Sequence, residues 1–217
     1  MGEIWIPEAT RLGSGNIGGA MDTPNLPARA VEHTTEGSFG TAAAFRNTAD
    51  YLIEVASEPH LLYDPTTDML GQFGPLNLSA RALRNAGTLR TNRTGKVCVQ
   101  IEYMARAKTP FTSYWKPGPN YRAMMRAIRS WGVPDAFPGG RLSRSGTDDV
   151  SRSTTTWTTK GGHFGHCQVP GNDHWDPGDL DFDEYFRRAY APVPPVTPTT
   201  PPPAPRRRPL IYRLTGA

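Results

Sequence analysis

The tract Ala191-Pro-Val-Pro-Pro-Val-Thr-Pro-Thr-Thr-Pro-Pro-Pro-Ala-Pro205 sets a hard limit on what this chain can fold into. Proline fixes φ and has no backbone N–H, so the tract can enter neither helix nor sheet and is expected to be a stiff polyproline II spacer. A folded domain must therefore end near Tyr190. Beyond the spacer, Arg206-Arg207-Arg208 opens a basic, partly apolar segment to Ala217 that is too short to fold alone. The expected organisation is an N-terminal extension over residues 1–27, one domain over 28–190 and a Pro-rich basic tail over 191–217. The 217 residues suffice for one substantial core, and five Trp, eight Tyr and eight Phe can fill it, while 22 Gly and 22 Pro predict a loop-rich protein.

Periodicity within the domain predicts an α/β fold. Thr41 to Ala56 carries Phe45, Leu52 and Val55 at helical spacing. His60 to Tyr63 and Leu70 to Phe73 read as short strands joined by the Asp64-Pro65-Thr66-Thr67-Asp68 turn. Val97 to Tyr103 is a clearer strand, with Val97, Val99 and Ile101 on one face and Cys98, Gln100 and Glu102 on the other. Glu102 thus projects from the face opposite an apolar one, and its own face is a candidate site wall. Tyr121, Met124, Met125, Ile128 and Trp131 form a helical stripe that stops before Gly132-Val133-Pro134. Phe182, Tyr185, Phe186 and Ala189 form a last amphipathic set, opened by Asp181 and Glu184 in a capping-box-like pattern. The order reads strand, helix, strands, helix, strand, helix, loop, helix. A single domain with a central mixed β-sheet flanked by α-helices follows.

The chemistry concentrates in Gly165-His166-Cys167-Gln168-Val169-Pro170-Gly171-Asn172-Asp173-His174-Trp175-Asp176-Pro177-Gly178. Histidines, aspartates and a cysteine between turn-forming glycines and prolines suit a rigid loop that presents donor atoms, so a metal site is the first hypothesis. Catalytic zinc takes three protein ligands from His, Asp, Glu and Cys and leaves a position open for water. His166 and Asp176 could supply two of them. His174 stands too close to Asp176 to share one tetrahedron without strain, and His33, at the end of a short apolar approach, is the best distant candidate. Cys167 is a plausible donor by chemistry, although in an extended segment it faces away from His166, and His163 makes a His-x-x-His pair with His166. Cys98 and Cys167 are expected to be free thiols. No apolar run approaches the ~20 residues that cross a bilayer, and Met1-Gly-Glu-Ile-Trp-Ile-Pro7 has no signal-peptide pattern, so cytoplasmic synthesis is expected. A net charge of +4 favours polyanionic partners without choosing among nucleic acid, membrane and wall polymer.

Five pieces occur in order between residues 28 and 186: Val31-Glu32-His33-Thr34-Thr35-Glu36-Gly37; Pro59-His60-Leu61-Leu62-Tyr63 with Asp64; Val99-Gln100-Ile101-Glu102-Tyr103; Trp131-Gly132-Val133-Pro134; and Gly165-His166 through Asp176-Pro177-Gly178. Together they resemble the type 2 zinc-dependent N-acetylmuramoyl-L-alanine amidases, which share a fold with phage lysozyme-amidases and animal peptidoglycan recognition proteins. By motif, the resemblance implies Zn2+ ligands at His33, His166 and Asp176 and a catalytic acid-base at Glu102. The family's second catalytic position, often Lys, is occupied here by His174, implied to stabilise the oxyanion. The activity implied is hydrolysis of the amide between N-acetylmuramic acid and the L-alanine of the stem peptide by a zinc-activated water.

The partner implied is bacterial peptidoglycan, with the basic tail available to an anionic wall polymer. A phage-type endolysin that reaches the wall after membrane breach, or a cytoplasmic wall-recycling enzyme, fits the absent export signal; the basic tail favours the former. The alternative is a non-catalytic muropeptide-binding module, which typically lacks a zinc ligand. A nucleic-acid binder is more distant, because no recognition motif is present. His60 is a candidate for substrate contact, and His163 and Cys167 are expected to be bystanders. Tyr114, Trp115 and Trp175 are candidate groove aromatics, and Thr34, Thr35 and Glu36 are candidate cleft-shaping residues.

Overall fold

The computed structural model describes residues 2–190, and the Pro-rich basic tail lies outside them. Strands β1 (Thr10–Arg11), β2 (Arg29–Thr34), β3 (Leu61–Tyr63), β4 (Leu70–Gln72), β5 (Cys98–Tyr103) and β6 (Gly162–Gly165) form one six-stranded sheet in the order β1-β4-β3-β5-β2-β6. The β3–β4 hairpin is antiparallel and the other pairings are parallel, so the sheet is mixed. Helices α1 (Ala42–Glu54), α2 (Pro119–Ser130), α3 (Thr154–Thr159) and α4 (Phe182–Arg188) complete the expected α/β domain.

Strand β2 is buried along its whole length, as befits a strand between parallel neighbours with both faces covered. Alternation distributes the apolar side chains between the two faces. Leu61, Tyr63, Val99, Ile101 and Tyr103 join Tyr121, Met124, Met125 and Ile128 of α2 and Tyr185 of α4 in the largest cluster. Leu62 and Phe73 pack with Phe45, Ala49 and Leu52 of α1 on the other side. Thr41 caps α1 by accepting from the backbone N–H of Ala44 at 3.1 Å.

Several details differ from the sequence reading. No α-helix stands between β4 and β5, only a single 3₁₀ turn at Thr91–Arg93. The short helix α3 and strand β6 appear where periodicity is weak: α3 is mostly threonine, and β6 carries glycine at both ends. Residues 2–27, expected to be an extension, pack as part of the domain. Their Ile6 is fully buried in the main cluster, β1 pairs with β4, and the Gln72 side chain donates to Ile4 O at 2.9 Å and accepts from Ile6 N–H at 2.9 Å.

Helix α2 opens at Gly118, which has no side chain to cap it. Asp68, from the distant β3–β4 turn, takes that role: its carboxylate accepts from the N–H groups of Gly118 (2.8 Å), Asn120 (2.9 Å) and Tyr121 (3.0 Å), and from Tyr63 Oη–H (2.8 Å). A Cβ at position 118 would lie 2.4 Å from Asp68 Oδ2, so glycine is required for this approach. Asp68 itself sits at φ 60° to make it. Asp68→Ala should lower stability by about 2 to 3 kcal/mol, since it uncaps α2 and strands the Tyr63 hydroxyl. Chemical denaturation checks this as a lower midpoint with an unchanged m-value.

Candidate metal centre

The sheet brings the predicted residues together at the C-terminal end of its parallel strands. His33 is the penultimate residue of β2, and parallel register places it opposite Glu102 of β5. On the other side, β2 pairs Glu32 with Gly165 of β6, and His166 follows at once in a 3₁₀ turn, His166–Gln168. Asp176 arrives from the loop beyond and is fixed there by backbone: Thr34 N–H donates to its Oδ2 at 3.2 Å, and Cys167 N–H donates to its carbonyl at 2.9 Å. Gly178 completes the turn at φ 82°, where a Cβ would lie 2.1 Å from Ala107 O.

His33, His166 and Asp176 are all buried and form a group able to hold a metal ion. His33 Nδ1 is 3.0 Å from His166 Nδ1 and 3.9 Å from Asp176 Oδ2, and His166 Nδ1 is 3.2 Å from Asp176 Oδ1. Ligands of a tetrahedral zinc at about 2.0–2.1 Å stand roughly 3.4 Å apart, so the spacing and the N, N, O donor set fit the ion. Burial, and then the neighbouring His166, push the His33 imidazole well below its ordinary pKa and keep it neutral, the form that binds metal. Burial raises the Asp176 carboxyl, but the charge and hydrogen bond of His166, with His33 and His174, outweigh it and hold the group below the ordinary aspartate value.

Glu102 Oε1 lies 3.9 Å from His33 Nδ1, and its Oε2 has no hydrogen-bond partner. Burial, with Asp176 and Glu36 as like-charged neighbours, pushes its carboxyl well above the usual range, so it holds a proton readily. His174 stands half exposed at the rim, its ring stacked on His166 with centroids 4.1 Å apart. Its Nδ1 is 3.5 Å from Asp176 Oδ1, and burial together with His166 lowers its pKa. The group opens into a cleft of about 460 Å³. Thr34, Thr35, Glu36 and Trp175 line it as expected, and so do Arg81, Arg84 and Asn172, which sequence reasoning missed.

The remaining candidates lie elsewhere. Trp115 is a core residue, stacked parallel on Tyr185, and Tyr114 borders a separate depression with Phe39, Arg106 and Thr109. His163 is fully buried on the opposite face of the sheet, its Nδ1 2.6 Å from Glu32 Oε1. Cys167 packs in the main cluster, and burial raises its thiol to about 11 and that of Cys98 to about 12. His60 does not reach the cleft. Its Nδ1 accepts from Gln100 N–H at 3.0 Å and its Nε2 donates to Leu78 O at 2.9 Å, so the neutral ring ties β5 to the loop after β4.

No family model matches the chain, and no curated protein matches it. Among solved structures it is similar to the hydrolase AmiA of Staphylococcus aureus in complex with its ligand, at 12% identity, covering 86% of this chain and 83% of that one, with a TM-score of 0.52. A selenomethionine derivative of AmpD matches at 18% identity over 85% of this chain and 96% of that one, with a TM-score of 0.47. The endolysin N-acetylmuramoyl-L-alanine amidase LysCS of Clostridium intestinale URNW matches at 11% identity over 86% and 97%, with a TM-score of 0.43. The likeness to AmiA is one of fold.

His60 generates a pH-dependent prediction. Burial lowers its pKa from 6.5 to about 4, so between these values the unfolded chain binds a proton that the folded chain refuses. Its contribution is complete above about pH 6.5 and is lost as pH falls toward 4, by up to about 3 kcal/mol. Denaturation of the wild type and His60→Gln at stepped pH should show their stability difference shrinking across that window. A constant difference would contradict it.

Proposed function

We propose that the protein is a zinc-dependent N-acetylmuramoyl-L-alanine amidase that cleaves the amide between N-acetylmuramic acid and the first residue of the peptidoglycan stem peptide. The observation that carries this reading is the buried His33, His166 and Asp176 triangle beside an open cleft, with the Glu102 carboxyl 3.9 Å from His33 Nδ1. The ordered motifs and the shared AmiA fold support it.

His33, His166 and Asp176 would hold the ion, which supplies Lewis acidity to polarise the scissile carbonyl and acidify water. Glu102 takes a proton from the attacking water, whose oxygen bonds to the lactyl carbonyl carbon. As the C–N bond breaks, Glu102 returns that proton to the alanine nitrogen, and the products are a carboxyl group and a free amine. His174, at the rim, donates a hydrogen bond to the carbonyl oxygen as it gains charge. Thr34 N–H keeps Asp176 aimed at the imidazoles. The basic tail is read as an electrostatic contact for anionic wall polymer. Among the described residues no helix is long and apolar enough to cross a membrane.

Mass spectrometry of digested peptidoglycan should show free stem peptides with N-terminal alanine; retained but intact glycopeptide would mark a binding module instead. His33→Ala should lose both zinc and activity. Glu102→Gln should keep about one zinc per chain while activity falls roughly 10²- to 10⁴-fold. Undiminished turnover in either variant would contradict the mechanism.

A further inference from the structure

The two histidines of the triangle are held differently. His33 Nε2 is buried without a hydrogen-bond partner, whereas His166 Nε2 lies 3.1 Å from Asn172 Oδ1. Asn172 is itself buried, and each end of its amide is committed. Oδ1 also accepts from Arg84 N–H at 2.9 Å, while Nδ2 donates to Arg84 O at 2.9 Å and to Pro170 O at 3.0 Å. A flipped amide would set its NH₂ against a backbone N–H and its oxygen against two carbonyls. The oxygen therefore faces His166, so Nε2 must carry the ring's hydrogen. In the neutral ring Nδ1 then keeps its lone pair, 3.2 Å from Asp176 Oδ1 and 3.0 Å from His33 Nδ1, where an ion would sit; in the imidazolium the same Nδ1 donates to Asp176.

We propose that Asn172 is a positioning residue that fixes the tautomer and ring orientation of His166 for metal binding and ties this ligand to the cleft-lining Arg84 segment. The inference rests on the metal reading of the site. An acceptor on the distal nitrogen of a ligating imidazole typically contributes 10- to 100-fold in metal affinity. Asn172 is the group in that position, and the unpartnered Nε2 of His33 concentrates the burden of orientation on it.

Three measurements on the full chain test this. In metal-free wild type, ¹⁵N NMR of the imidazoles should show a hydrogen on His166 Nε2; a ring protonated at Nδ1 alone would overturn the proposal without any variant. Zinc competition titrations should show affinity about 10- to 100-fold weaker in Asn172→Ala. Asn172→Asp keeps the acceptor for His166 but sets an oxygen against Arg84 O and Pro170 O. It should therefore recover most of the zinc affinity while remaining less stable than wild type to denaturant. A merely structural tie predicts that affinity follows stability in both variants, and that result would overturn the proposal, as would unchanged affinity in Asn172→Ala. A wild type that takes up no zinc would remove the metal reading itself, whereas normal wild-type binding with insensitive variants would remove Asn172's role alone.

Discussion

In-register parallel pairing of β2 with β5 and β6 is the constraint from which the rest of the site follows. Parallel strands end on the same side of a sheet, so their last residues and the loops after them share one rim. Here that rim receives His33, Glu102 and His166 from three adjacent strands separated by long stretches of sequence. The pleat then decides which face each one serves. His33 and Glu102 point toward the cleft, while Glu32, one residue earlier, points away and meets His163 on the far side. A one-residue slip of β2 would exchange these roles.

Burying so many polar groups is costly, and the surrounding structure offsets the cost locally. Asp176 receives a backbone N–H, His166 receives Asn172, and the fully buried His60 has both ring nitrogens engaged. Where compensation stops is informative. Several buried side-chain atoms lack a partner, and two of them, His33 Nε2 and Glu102 Oε2, flank the donor triangle. The two apolar layers about the sheet provide the opposing stabilisation.

The fold class and the donor triangle were legible because strong local patterns carried them. The alternation of Val97 to Tyr103 and the stripe from Tyr121 to Trp131 announce their elements, and Gly-His and Asp-Pro-Gly mark the loop. Strand β6 was not legible: it has few side chains to alternate and owes its conformation to pairing with β2. Neither was the role of residues before 28, since a two-residue strand and irregularly spaced buried residues such as Ile6, Ala9 and Ile17 leave no periodic signal. Asn172 reads in sequence as one more turn residue after Gly171, and only tertiary contact with His166 and Arg84 gives it meaning. His60, Trp115 and Tyr114 show the converse. A residue type suited to binding was present, but backbone partners or core packing had already claimed it.

The placement of the two cysteines has a consequence for where such a site can operate. Both are free and buried, and burial holds each thiol in its protonated form at neutral pH. Thiolates are the species that oxidants and soft metals attack, and the donor triangle uses only nitrogen and oxygen. The fold therefore couples its chemistry to no redox-active side chain at the centre, and a change from reducing to oxidising surroundings leaves the ligand set as it was.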